Sequence, residues 1–156
     1  MDSTETEKIL SLQLEWIKTA DAKVPPLFSI NVAMLGLLAV LMKGVTDWSF
    51  LIGFFAFLSI ASLSISIIFL AQAMFPRLDG PEGSLIFFGG ISKLSREEYI
   101  SKVLSVSSGD HKNDILSQVH RNAEIATSKY KYVKKAFIST FISVPFWVNA
   151  VYFLYI

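Results

Sequence analysis

The sequence of 156 residues has no cysteine, and its two histidines are His111 and His120. The missing thiols exclude disulfides and thiolate metal sites. A histidine-based metal site would need carboxylate help, and neither histidine stands in an H-E-x-x-H pattern. An excess of one charge sign is also missing. The 14 basic and 13 acidic residues leave a net charge of +1, which argues against a nucleic-acid binder driven by bulk charge. There is no G-x-S-x-G elbow, no Walker loop and no paired-carboxylate signature, so the sequence does not read as an enzyme. The first residues, M-D-S-T-E-T-E-K, are acidic and polar, the wrong flank for a cleavable signal peptide, and the first apolar block is expected to stay in the mature protein.

Charge is also missing locally, and that decides the fold class. Hydrophobic residues make up 53% of the chain, and they gather in three blocks without a charge: residues 24–42, 49–75 and 136–156. A helix needs about 20 apolar residues to cross a hydrocarbon core, and these blocks hold 19, 27 and 21. The expected fold is an all-α membrane protein with three transmembrane helices. A small, mainly helical cytosolic domain would come from an N-terminal amphipathic helix (residues 1–23) and the insert between spans two and three (residues 76–135).

Thr19 to Met42 organises the chain. Asp21 and Lys23 form a charged border, Pro25 and Pro26 follow, and no charge appears after them. The two prolines remove helical donors and restrain Val24, so the helix restarts or kinks there and the border is a candidate hinge. Upstream, Ile9, Leu12, Trp16 and Ala20 make a helical stripe. In the second span Gly53, Ala56, Ser59, Ser62 and Ser66 recur at spacings of three and four, a pattern for close helix packing.

The insert opens with a loop, an extended apolar run from Leu85 to Phe88 and a Gly89-Gly90 turn. Ser95 and Glu98 form a capping box for a helix over 96–105 that should bury Tyr99, Ile100 and Val103. Ser107-Ser108-Gly109 breaks it, and Asp110 can cap a long helix with a stripe of Ile115, Val119, Ala126, Tyr130, Val133 and Phe137. That helix can run into the third span, where Pro145 can kink it and Trp147, Tyr152 and Tyr155 suit interfacial anchoring.

The basic residues set an orientation. The insert holds ten, including Lys129, Lys131, Lys134 and Lys135 beside the third span, whereas the loop between spans one and two holds Lys43 alone. By the positive-inside rule the N-terminal helix and the insert are cytoplasmic.

A binding site is the more plausible chemistry. Asp21 and Lys23 lie at the foot of the first span, and Phe87, Phe88 and Gly89 form an aromatic–glycine turn. Gln118, His120, Asn122, Lys129 and Tyr130 follow on the long helix. Together they offer a cation for phosphate, a ring to stack on and amides for a base edge, the mix an anionic nucleotide wants. The plainer reading of the same residues is a surface ion pair, a lipid-facing basic collar and an ordinary helix pair between His120 and Glu124.

The order T-A-D-A-K, L-F-S-I-N-V-A-M-L, F-F-G-G-I, S-R-E-E-Y-I and Q-V-H-R-N-A-E-I-A-T-S-K-Y-K-Y-V resembles the PycTM-type effectors of bacterial Pycsar antiphage defence. The resemblance runs from about Leu12 to the final helix. It departs at Val24-Pro25-Pro26, where small residues are expected, and at Gly90, where a polar one is. It implies a multi-pass protein of the bacterial inner membrane that binds cyclic CMP or cyclic UMP made by a partner pyrimidine nucleotide cyclase. The bound effector would impair the membrane and arrest or kill the infected cell. Asp21, Lys23, Phe88, Gly89, Gln118, His120, Asn122, Lys129 and Tyr130 carry over as ligand-binding positions, with no cofactor or metal. A homo-oligomer is expected, since three spans alone enclose little. The competing reading is a non-enzymatic membrane adaptor whose insert binds a protein partner.

Overall fold

The computed structural model describes residues 3–155. They form α1 (Ser3–Ala22), α2 (Val24–Met42), α3 (Phe50–Met74), α4 (Phe88–Ile91), α5 (Arg96–Ser105) and α6 (Ser108–Tyr155), with no strand among the described residues. The chain divides into two compact units. One takes the chain up to Thr19 with Pro76–Ser128, and the other takes Ala20–Phe75 with the chain from Lys129 on.

The second unit is helical apart from the break at Lys23 and the turn between α2 and α3. Among the described residues three helical stretches, in α2, α3 and α6, are long and apolar enough to cross a membrane. The break before α2 is one residue, Lys23, whose amide donates to Ala20 O at 3.2 Å. Pro25 and Pro26 fall in the first turn of α2, where amide donors have no intrahelical acceptor, so they start the helix without cost. Ser49 caps α3 by accepting from Ile52 N, and Phe75 leaves the helix ahead of Pro76.

Val24, Leu27, Leu70, Ala73, Val133 and Ala136 form the apolar core of this unit. Beside it three polar side chains, one per helix, close a buried ring. Asn31 Nδ2 donates to Ser66 Oγ at 2.8 Å, Ser66 Oγ lies 2.8 Å from Thr140 Oγ1, and Thr140 Oγ1 donates to Asn31 Oδ1 at 3.0 Å. The buried stripe of α3 is Ile52, Ala56, Ser59, Leu63, Ser66, Leu70 and Ala73. Small residues therefore do meet other helices, but Gly53 lies off the stripe, with open space beside it. Ile30, Val40, Phe57, Ile68, Phe141 and Val148 are exposed, as lipid-facing positions would be. Trp147 is half-buried and donates to Met34 O at 3.0 Å, so it ties α6 to α2. Helix α6 passes through Pro145 without ending.

In the first unit three local expectations change. Leu85 to Phe88 is not extended. Ser84 Oγ accepts from Ile86 N and Phe87 N at 3.2 and 2.9 Å, which curls the run into a turn leading to α4. Helix α5 has its capping box, with Ser95 and Glu98 bonded reciprocally, but Ile100 and Val103 are 45% and 41% exposed and Tyr99 is half-buried. Tyr99 Oη ties the helix to the loop by donating to Leu85 O at 3.3 Å. Finally, Ser107 and not Asp110 caps α6: Ser107 Oγ accepts from Asp110 N and donates to the Asp110 carboxylate.

Candidate functional site

The loop between Pro76 and Phe88 is fastened to α6 by side chains. Leu85 N donates to Asp114 Oδ2 at 2.8 Å, and the buried Gln118 donates from Nε2 to Ser84 Oγ at 3.2 Å. Gly83 turns the chain at φ +69, a conformation that favours glycine. A Cβ on Gly90 would come within 2.4 Å of Ser84 O, so glycine is required there by close backbone approach. The Phe87 ring lies against both Gly80 and Gly89, where any larger residue would meet it. The Gly89-Gly90 pair is thereby explained by packing.

The fastened loop, α1 and α6 enclose a cavity of about 310 Å³. That is the lower end of the range for small-molecule sites. Its apolar wall is Leu10 and Leu14 from α1, Ile86, Phe87 and Phe88 from the loop and α4, and Ile125 from α6. Its polar groups are Arg77, Asp79, Gln118, Arg121 and Asn122. Phe88 is 61% exposed, with its ring centroid 4.7 Å from that of Phe87.

The two arginines differ. Arg121 is compensated: its guanidinium donates to the Asp79 carboxylate, to Asp79 O at 3.2 Å and to Glu124 Oε2 at 2.8 Å. Arg77 Nη2 donates to Ser128 Oγ at 2.8 Å, but Nη1 is buried without a hydrogen-bond partner among the described residues. A buried donor left unpaired costs about 1–3 kcal/mol, more for a charged group.

The residues singled out from the sequence divide between the units. Phe88, Gln118 and Asn122 line the cavity. Gly89 lines a larger groove of about 770 Å³ that shares Phe87 and Phe88 with it and also carries Lys93 and Lys102. His120 lines neither, stands 79% exposed, and has Nδ1 4.0 Å from Glu124 Oε1.

Asp21, Lys23, Lys129 and Tyr130 gather in the other unit. The buried Lys129 ammonium donates to Asp21 Oδ1 at 2.6 Å and to Ala73 O at 3.0 Å. Lys23 Nζ sits 4.9 Å from the Tyr130 ring centroid, a cation–π distance. These contacts commit the cations to groups of the chain itself.

Sequence reasoning placed Phe87 in the aromatic–glycine turn but missed Arg77, Asp79, Arg121 and the α1 pair Leu10 and Leu14. Arg77 reads as the charge that stops a span, and Leu10 and Leu14 fall outside the Ile9–Leu12–Trp16 stripe. The sequence signal nearest to hand was Arg121 inside the same Q-V-H-R-N segment as Gln118 and Asn122.

Over residues 5–156 the chain matches the Pycsar effector protein domain, PycTM. It is 30% identical over 125 residues to the Pycsar effector protein SaPycTM of Staphylococcus aureus, covering 80% of this chain and 78% of that one. No solved structure matches it.

Proposed function

This chain belongs to the Pycsar effector family, and we propose that it is a membrane effector switched on by a cyclic pyrimidine mononucleotide, cyclic CMP or cyclic UMP, made by a partner cyclase. The family makes it an antiphage defence effector, and its helices make it a membrane protein. The proposed output is damage to the bacterial inner membrane, with growth arrest or death of the infected cell before phage matures. In this reading the chain sits with its N-terminus and the 76–135 insert in the cytoplasm, acts as a homo-oligomer, and performs no catalysis.

One observation carries the ligand class: an arginine-bearing cavity walled by two phenylalanines and two amides. A cyclic nucleotide presents a singly charged phosphodiester, a flat ring and a hydrogen-bonding base edge, and each has a chemical counterpart there. The ligand must bind the active state better than the resting one, or no population shifts.

Calorimetry of the full chain in detergent micelles against cyclic CMP and cyclic UMP tests the first half of the proposal. Saturable heat with one of them is expected, and no heat with either sinks the reading. The second half is tested with dye-loaded liposomes, where the binding nucleotide should start release and the other should not. The adaptor reading has one observation behind it, the exposed Ile100, Val103 and Leu104 of α5. It predicts that changes near Arg96 abolish function while Phe88→Ala, in the cavity wall, leaves it intact.

A further inference from the structure

We propose that Arg77 holds the phosphodiester of the ligand, with the base laid on Phe88 and read by Asn122. The inference rests on the nucleotide reading above and gives it a place in the chain. Arg77 was not among the residues the sequence pointed to, and it stands next to Pro76 where α3 has ended.

Three observations converge on it. First, charge is left over. Arg121 faces two carboxylates, Asp79 and Glu124, whereas the bond from Arg77 goes to a neutral hydroxyl, that of Ser128. A guanidinium carries five donors in a planar fork that suits phosphate oxygens. Second, Arg77 Nη1 is buried without a partner among the described residues, so one donor of the fork is uncommitted, and a turn of the side chain toward the cavity would let an anion use it. Third, the rest of the lining is right for a nucleoside. Phe88 is exposed for stacking, Phe87 beside it is fixed by Gly80 and Gly89, and the half-buried Asn122 has donors and an acceptor on one amide. Among the described residues that line this cavity, Arg77 is the cation without a carboxylate, which matches a ligand of one negative charge better than a triphosphate.

The competing placement is the cluster of Asp21, Lys23, Lys129 and Tyr130. There the Lys129 ammonium already holds a carboxylate and a carbonyl. An anion arriving at that point would have to displace Asp21 or meet its charge.

The experiment uses the full chain in micelles and titrates cyclic CMP and cyclic UMP into wild type, Arg77→Ala, Arg77→Lys, Phe88→Ala and Lys18→Ala, with circular dichroism melts alongside. Arg77→Ala should raise Kd roughly thirtyfold or more, and Arg77→Lys, which keeps the charge but not the fork, by about tenfold. Phe88→Ala should raise it about fivefold through lost stacking. Lys18→Ala removes an exposed charge from α1 outside the cavity lining and should leave Kd within about twofold. If Arg77→Ala does not fold, Phe88→Ala decides, because its exposed ring is dispensable for the core. Wild-type binding with Arg77→Lys and Phe88→Ala both unchanged overturns the placement and leaves the nucleotide reading standing. No binding by wild type to either nucleotide overturns the nucleotide reading, and this placement falls with it.

Discussion

Lys129 shows what a single charge does when an apolar helix closes over it. Its side chain is 8% exposed, against 36% for its partner Asp21. The ammonium is therefore the vulnerable half of the pair. Asp21→Asn leaves a buried cation without its countercharge, with the Ala73 carbonyl and a neutral amide oxygen as acceptors, whereas Lys129→Met leaves a carboxylate that water can reach. Breaking a fully buried pair costs about 3–5 kcal/mol, and partial exposure of Asp21 brings the expected loss for Asp21→Asn to roughly 1–3 kcal/mol. Lys129→Met should cost less, and the double variant should recover part of the sum, with a coupling of about 1–2 kcal/mol. Detergent unfolding of the four proteins measures the cycle. Additive losses would mean that the pair is a contact without energetic consequence. The result also bears on the ligand question, because a strongly coupled pair is poorly suited to release its lysine to a phosphate.

At the scale of the element, α5 isolates one capping motif from tertiary packing, since none of its residues is buried. Glu98 accepts the Ser95 backbone N–H at 2.9 Å, and the Ser95 hydroxyl accepts the Glu98 N–H at 3.2 Å. The backbone bond from Ser95, then its hydroxyl, then the nearby charge of Lys102 hold the Glu98 carboxyl below its ordinary value of 4.5. A carboxylate with a depressed folded pKa stabilises the fold fully above the ordinary value, and the contribution is lost as pH falls through the folded value. Following the Ser95 amide by NMR from neutral pH downwards should give a midpoint below 4.5, accompanied by fraying of the first turn. Glu98→Gln should remove that midpoint while keeping a cap, because glutamine serves at the same position. A midpoint at or above the ordinary glutamate value would show that the box does not form in solution.

This motif also marks where the sequence was legible. The box, the apolar helices and the restart at Val24 ahead of the two prolines follow from local chemistry, so Ser95, Glu98, Pro25 and the charge-free runs announce them. The turn at Ser84 does not. Its form depends on the loop amides Ile86 N and Phe87 N converging with Gln118 on one hydroxyl, and on Gly90 closing against the Ser84 carbonyl. The exposure of Ile100 and Val103 was equally hidden, because an apolar spacing says which face is sticky and not whether anything covers it. The cavity was half legible. Phe88, Gln118 and Asn122 have chemistry that stands out in a list of residues. Arg77 is set apart from an ordinary span-ending cation by its bond to the Ser128 hydroxyl and by a nitrogen without a partner among the described residues, both of which tertiary structure gives it.

For the whole molecule the largest asymmetry is the distribution of cations across the three spans. The stretch between the second and third spans carries ten basic residues, and the loop between the first and second carries Lys43 alone. Lysines and arginines close to a span are retained on the cytoplasmic side, and Lys129, Lys131, Lys134 and Lys135 lie beside the third. A cavity for a nucleotide made inside the cell has to be on that same side, so the proposed function and the charge pattern make one joint demand on topology. The absence of cysteine makes the demand simple to test, because any introduced thiol is the one thiol in the chain. Gly44→Cys is well tolerated by geometry, since the nearest atom to the new Cβ is Leu41 O at 3.7 Å, an ordinary contact. Lys93→Cys places a thiol at an exposed position in the insert. In spheroplasts lacking the cyclase, a membrane-impermeant maleimide should label Gly44→Cys directly and Lys93→Cys only after permeabilisation. The opposite order would put the Arg77 cavity outside the cell. A cytosolic cyclic nucleotide could not then reach it, and both the orientation and the nucleotide-gated mechanism would have to be abandoned.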